Sequence, residues 1–202
     1  VVLGKSDSLF LGFVKLVYSI TRVNPETDSE DTDVTEMSIL PAEPITGDVL
    51  TIEGKTEPYS NVDIAVSFSR SVKVINGKYE YIFENLRIPK GKNRFDVRSS
   101  PVKNLNFIVK MFVDFKRSFD SDKEIAKFTD ENVPPGSYDI VINGEAMEGE
   151  NKVKLEFTAL QTMKSDAEGK LYYNYETNAL PEGDFNVRVG NAEKKITLRQ
   201  VG

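Results

Sequence analysis

Along most of this chain apolar and polar side chains alternate with a period of two. Val62, Ile64, Val66 and Phe68 are spaced by Asp63, Ala65 and Ser67. That spacing belongs to a half-buried β-strand, in which successive side chains point to opposite faces. Val153, Leu155 and Phe157 repeat it around Lys154 and Glu156. Asn76-Gly77 lies between two such runs, and this dipeptide accepts the positive φ of a type I′ turn, so a β-hairpin is predicted there. Ser165-Asp166-Ala167-Glu168-Gly169 takes the same place before Lys170-Leu171-Tyr172-Tyr173, as a longer turn ending in glycine. Helical periodicity is almost absent, and many short strands with turn residues between them indicate β-sandwiches.

The pattern is written twice. Ile52-Glu53-Gly54 recurs as Ile142-Asn143-Gly144, and Gly77-Lys78-Tyr79-Glu80-Tyr81 as Gly169-Lys170-Leu171-Tyr172-Tyr173. Pro89-Lys90-Gly91 followed by Phe95-Asp96-Val97-Arg98 returns as Pro181-Glu182-Gly183 followed by Phe185-Asn186-Val187-Arg188. Drift confined to loops is the mark of a duplicated unit. The expected fold is all-β: two tandem immunoglobulin-like sandwiches, residues 37–113 and 114–202, each with its own central hairpin. The last strand of the first copy is expected to run to Met111 or Val113, and an added strand or short helix is expected near Ile125. Pro134-Pro135-Gly136 predicts an extended turn before Ser137.

Residues 1–36 stand outside the repeat, as an apolar segment and an acidic linker. From Ser8 to Ile20 the chain is almost continuously apolar, and burying roughly ten such side chains at about 1.5–3 kcal/mol each far outweighs a domain's net stability. As a helix this segment puts Leu9, Phe13, Leu16 and Ile20 on one face; as a strand it puts Phe10, Val14, Leu16, Tyr18 and Ile20 there, with Gly12 as a notch. Its β-branched and aromatic content leans towards strand. The assembly contact expected from it comprises Leu9, Phe10, Leu11, Phe13, Val14, Leu16, Val17, Tyr18 and Ile20. The run Glu26, Asp28, Glu30, Asp31, Asp33 and Glu36 reads as a solvated linker, with Ca²⁺ binding as the alternative, although it lacks an EF-hand's glycine and closing glutamate.

Composition narrows the chemistry. The 202 residues contain no Cys and no His, which removes thiolate nucleophiles, disulfides, the usual general base and the commonest transition-metal ligand. No catalytic residues, cofactor or metal site are expected, and the chain is not read as an enzyme; the carboxylates lie at alternate strand positions or in turns, where solvation explains them. A net charge of −6 without a basic cluster argues against nucleic acid. No apolar run approaches the roughly 20 residues of a membrane helix. The tyrosines Tyr79, Tyr81, Tyr172, Tyr173 and Tyr175 fall inside the repeated hairpins, where packing accounts for them; a saccharide platform is the alternative. The start Val1-Val2-Leu3 has no initiator Met, so either a leader was removed, as from a processed secretory precursor, or the chain was cut there.

With the repeat laid out, the stretch from Gly47 to Lys110, which includes VDIAVSFSRSVKVINGKYEYIF, resembles domains of secreted and cell-surface proteins of methanogenic archaea. The stretch from Val133 to Gly190 is similar to the companion domain of those proteins. The resemblance spans Met37 to Leu198 and rests on strand and turn patterns. It implies immunoglobulin-like sandwiches displayed outside the cell, and no activity. The function expected is that of an exported structural or interaction protein. In one form it self-assembles into a filament or sheath by donating its N-terminal strand; in the other it is an adhesion module that binds surface polysaccharide or protein without assembling.

Overall fold

Alternation becomes strand throughout the computed structural model, which describes residues 32–200. In chain order the described strands are β1 (Thr35–Leu40), β2 (Val49–Lys55), β3 (Asn61–Lys73), β4 (Lys78–Ile88), β5 (Lys92–Ser100), β6 (Asn104–Lys110), β7 (Phe115–Asp120), β8 (Ala126–Glu131), β9 (Gly136–Glu145), β10 (Lys152–Lys164), β11 (Lys170–Glu176), β12 (Gly183–Val189) and β13 (Ala192–Leu198). They form three sheets: β1-β2-β11, β13-β12-β3-β10-β5-β8 and β4-β9-β6-β7. Every ladder is antiparallel. The fold is all-β, as expected, and its sheets pack as sandwiches compatible with the immunoglobulin-like class.

The six-stranded sheet is shared. The first core joins the three-stranded sheet to it through Val34, Leu50, Ile52, Val62, Ile64, Phe185 and Leu198. The second joins the four-stranded sheet to it through Phe83, Phe95, Leu105, Phe107, Phe128, Ile142 and Phe157. Phe68 and Leu180 pack against both cores, and a cavity of about 90 Å³ lies between them, walled by Leu50, Leu86, Phe157 and Leu180 among others.

The strands do not respect the expected boundary at 113/114. Each sandwich draws on both copies: β1, β2 and the first half of β3 close with β11, β12 and β13, while β4, β5 and β6 close with β8, β9 and the first half of β10. The pairings form an internal twofold relation. Ile52 stands opposite Tyr173, and its counterpart Ile142 stands opposite Tyr81, the counterpart of Tyr173. Val66 faces Val187, and Phe157 faces Val97. On the axis, Ser67 faces Thr158. The two copies have exchanged halves within one chain.

The hairpin expectation is corrected with it. Asn76 (φ 52°) and Gly77 (φ 73°) do adopt the turn, and Ile75 and Lys78 exchange N–H···O bonds of 2.8 and 3.0 Å. The ladder stops there: β4 pairs with β9, not β3. The reason is burial, because Phe83 must reach the ring of Phe68 edge-on at 6.2 Å, which sets β4 across from β3 instead of beside it. In the second copy β11 likewise leaves β10 and pairs with β2.

Smaller differences have equally local causes. β6 ends at Lys110, and Met111–Val113 form the turn to β7. Of the segment 121–128, Asp122 to Ile125 form a tight turn and β8 starts at Ala126, so the element there is a strand and not a helix, and Gly136 opens β9 after the paired prolines. Residues 32–36 belong to the sandwich and not to a linker: Val34 is a core residue and β1 begins at Thr35.

Candidate functional site

The outer face of the four-stranded sheet collects polar chemistry in rows, because its strands are in register. Glu80, Asn143, Asn106 and Ser118 form one row across β4, β9, β6 and β7. The next row is Ile82, Val141, Ile108 and Lys116. On the other side Lys78 stands beside Glu145.

The amides in these rows are held in one orientation by a chain of hydrogen bonds. Ser118 Oγ donates to Asn106 Oδ1 (2.7 Å), and Asn106 Nδ2 donates to Asn143 Oδ1 (3.0 Å). The Glu145 N–H donates to Asn104 Oδ1 (3.0 Å). With each oxygen engaged, the Nδ2 groups of Asn104 and Asn143 are the ends left to face outward. Above them lies an open depression of about 620 Å³, walled by Lys73, Ile75, Lys78, Glu80 and Lys116.

Its floor rests on a close contact. A Cβ on Gly144 would sit 2.3 Å from the backbone oxygen of Asn104 and 3.0 Å from the Tyr79 ring. Tyr79, 2% exposed, donates its hydroxyl to that same oxygen at 2.9 Å, and burial pushes its phenol up to about 12. Gly144→Ala is therefore expected to lower stability by about 1–3 kcal/mol, the usual cost of overpacking, measurable by urea unfolding. A Cβ on Gly54, its counterpart in the repeat, would sit 2.9 Å from a Val34 methyl in the other sandwich.

At the opposite end of β6 the turn to β7 exposes apolar side chains. Phe112 is fully exposed, at 106%, and Met111 and Val113 flank it, also exposed. Ile82, on the apolar row of the same sheet, is half exposed. Among exposed tyrosines, Tyr59 has the Lys164 ammonium 5.6 Å from its ring centroid. Tyr173 and Tyr175 lie inward near the seam of the two sandwiches, and burial raises both phenols, that of Tyr175 to about 12. They pack rather than form a platform.

The expected assembly residues, Leu9 to Ile20, lie outside the described residues, as do Glu26, Asp28, Glu30 and Asp31 of the acidic run. Asp33 of that run accepts a bond of 2.7 Å from Asn191 Nδ2. No group of three or more acidic side chains arranged around a metal position occurs among the described residues. The Asp166 turn is structural: its Oδ1 accepts the N–H groups of Glu168 and Lys170 at 3.0 and 2.7 Å. No helix among the described residues is long and apolar enough to cross a membrane. The asparagine cluster escaped the sequence reading because Asn104 and Asn106 lie on β6 and Asn143 on β9, far apart in the chain; only the pairing of β6 with β9 joins them. Comparison of the chain with known protein families, with curated proteins and with solved structures finds no match.

Proposed function

We propose that this chain is a non-catalytic structural and interaction module, exported to a cell surface, that associates with copies of itself through its apolar N-terminal segment. The observation that carries the reading is the apolar tip at Phe112, since a side chain of that size wholly in water marks a contact surface when its neighbours Met111 and Val113 are exposed too. Two further features support it. The segment from Ser8 to Ile20 has the composition of a strand that can add to a sheet. The scaffold also suits transmission of force, because β3 and β10 pair along their whole lengths and leave no hinge between the sandwiches. The surface location rests on the resemblance to secreted archaeal proteins.

Light scattering and electron microscopy of the intact chain, of a version lacking residues 1–31 and of Phe112→Ser test the reading. The truncation spares Thr32 to Glu36, which the first sandwich needs. Large or filamentous particles are expected from the intact chain and monomers from the truncated one, with Phe112→Ser reducing particle size. Monodisperse monomers from all three overturn the proposal. A second reading, saccharide binding without assembly, is favoured by the amide-floored depression on the four-stranded sheet.

A further inference from the structure

We infer that the depression on the outer face of the four-stranded sheet binds an acidic saccharide, a hexuronate unit at the end of a chain or within it. This deepens the saccharide-binding reading and does not depend on whether the chain assembles.

The ligand class follows from what the walls offer. Lys73, Lys78 and Lys116 have no carboxylate within 4.0 Å among the described residues, unlike Lys103, Lys110 and Lys154, which do. The three free ammonium groups and the outward Nδ2 groups of Asn104 and Asn143 are donors, and the ammonium groups outnumber the two carboxylates of the lining, Glu80 and Glu145, the second of which already pairs with Lys103 at 3.7 Å. A ligand that satisfies them is rich in acceptors and carries negative charge. Lysine as a mobile point charge suits a carboxylate approached from the rim.

Two features exclude a bare inorganic anion as the natural ligand. Glu80 stands in the amide row beside Asn143, where it would repel phosphate or sulfate but would accept a hydroxyl proton. The volume, about 620 Å³, falls within the range of small-molecule sites and far exceeds one ion. A ring that bears hydroxyls and one carboxylate meets both conditions. Its hydroxyls donate to Glu80 and accept from the two amides, and its carboxylate lies towards the lysines of the wall, of which Lys73 borders the β4 edge and Lys116 the β7 edge. Ile75, 69% exposed at the turn before β4, supplies an apolar surface for the C–H face of a ring.

The site also explains why the amides are wired together. An asparagine free to flip presents donor and acceptor alternately, whereas the Ser118–Asn106–Asn143 chain fixes a donor outward. Fixed donors reduce the ordering cost of binding a flexible sugar.

Equilibrium dialysis of the full-length chain against labelled digalacturonate, a neutral digalactoside of the same linkage and inorganic phosphate tests the inference. Digalacturonate is expected to be retained, to weaken as salt rises, and to bind at least about tenfold more tightly than the neutral disaccharide. Lys73→Gln combined with Lys116→Gln should weaken it by about tenfold or more while leaving the melting temperature unchanged, since both side chains are exposed and unpaired. Glu80→Gln should tighten phosphate and not digalacturonate. No retention of digalacturonate, equal retention of the neutral disaccharide, or an affinity unmoved in the double-lysine variant each overturns the assignment. None of those outcomes changes the light-scattering result, so the two proposals fail separately.

Discussion

Cut between Val113 and Asp114, the two halves of this chain will not fold apart and will fold when mixed. Of the ten strand ladders, only β1–β2 and β12–β13 lie inside a half; the other eight join strands on opposite sides of the cut. Residues 32–113 alone leave β3 with no partner, because its ladders are to β10 and β12. A lone two-stranded ribbon is marginal in water. Circular dichroism and amide dispersion should therefore show two largely unfolded fragments, and a native spectrum on equimolar mixing. Two separately folded monomers would show that each copy closes on itself and would refute the exchanged arrangement.

Phe157→Ala should cost about 3–5 kcal/mol, the usual loss for a buried aromatic ring. Phe157 is 1% exposed and its ring lies 4.9 Å from Phe68, 5.4 Å from Tyr81 and 5.1 Å from Phe83. Its distinctive consequence is reach. Phe157 stands directly opposite Phe68 on the paired β3 and β10, and Phe68 in turn touches Phe185 of the other sandwich at 4.9 Å. Hydrogen exchange should accelerate in β2 and β9 together, although they lie in different sheets. Acceleration confined to β9 would mean that the sandwiches unfold independently.

The strands were legible because alternation is local. Val62, Ile64, Val66 and Phe68 announce β3 within a few residues, and Asn76-Gly77 announces its turn. Pairing was not, because duplication makes partners interchangeable: the pattern of Ile142 suits Tyr81 as well as that of Ile52 would. A signal was nonetheless present. For β4 to pair with β2 of its own copy, the chain would have to reverse near Ser67, over the half of β3 that Ile52 covers. From Ser67 to Ile75 there is no Gly, Pro, Asn or Asp, and the strand runs on for 13 residues, well beyond the common five or six. β10 is equally long and equally free of breakers. An uninterrupted strand of double length was the sequence's statement that the copies interleave. The candidate site was harder to read, since its amides converge only through that same long-range pairing, while the apolar tip at Phe112 looked like the continuation of a strand.

Interleaving also dictates a timetable. As the chain leaves the ribosome, β1 to β6 emerge first, and all they can complete among themselves is the β1–β2 ladder. Everything else waits for residues 114–200, roughly 5–20 s of synthesis at ordinary elongation rates. The newborn first half stays extended through that interval, with the apolar faces of β3 to β6 uncovered. Those are the segments a chaperone would hold, and a chain kept open in this way remains narrow enough to be threaded through a pore before its final strand is made.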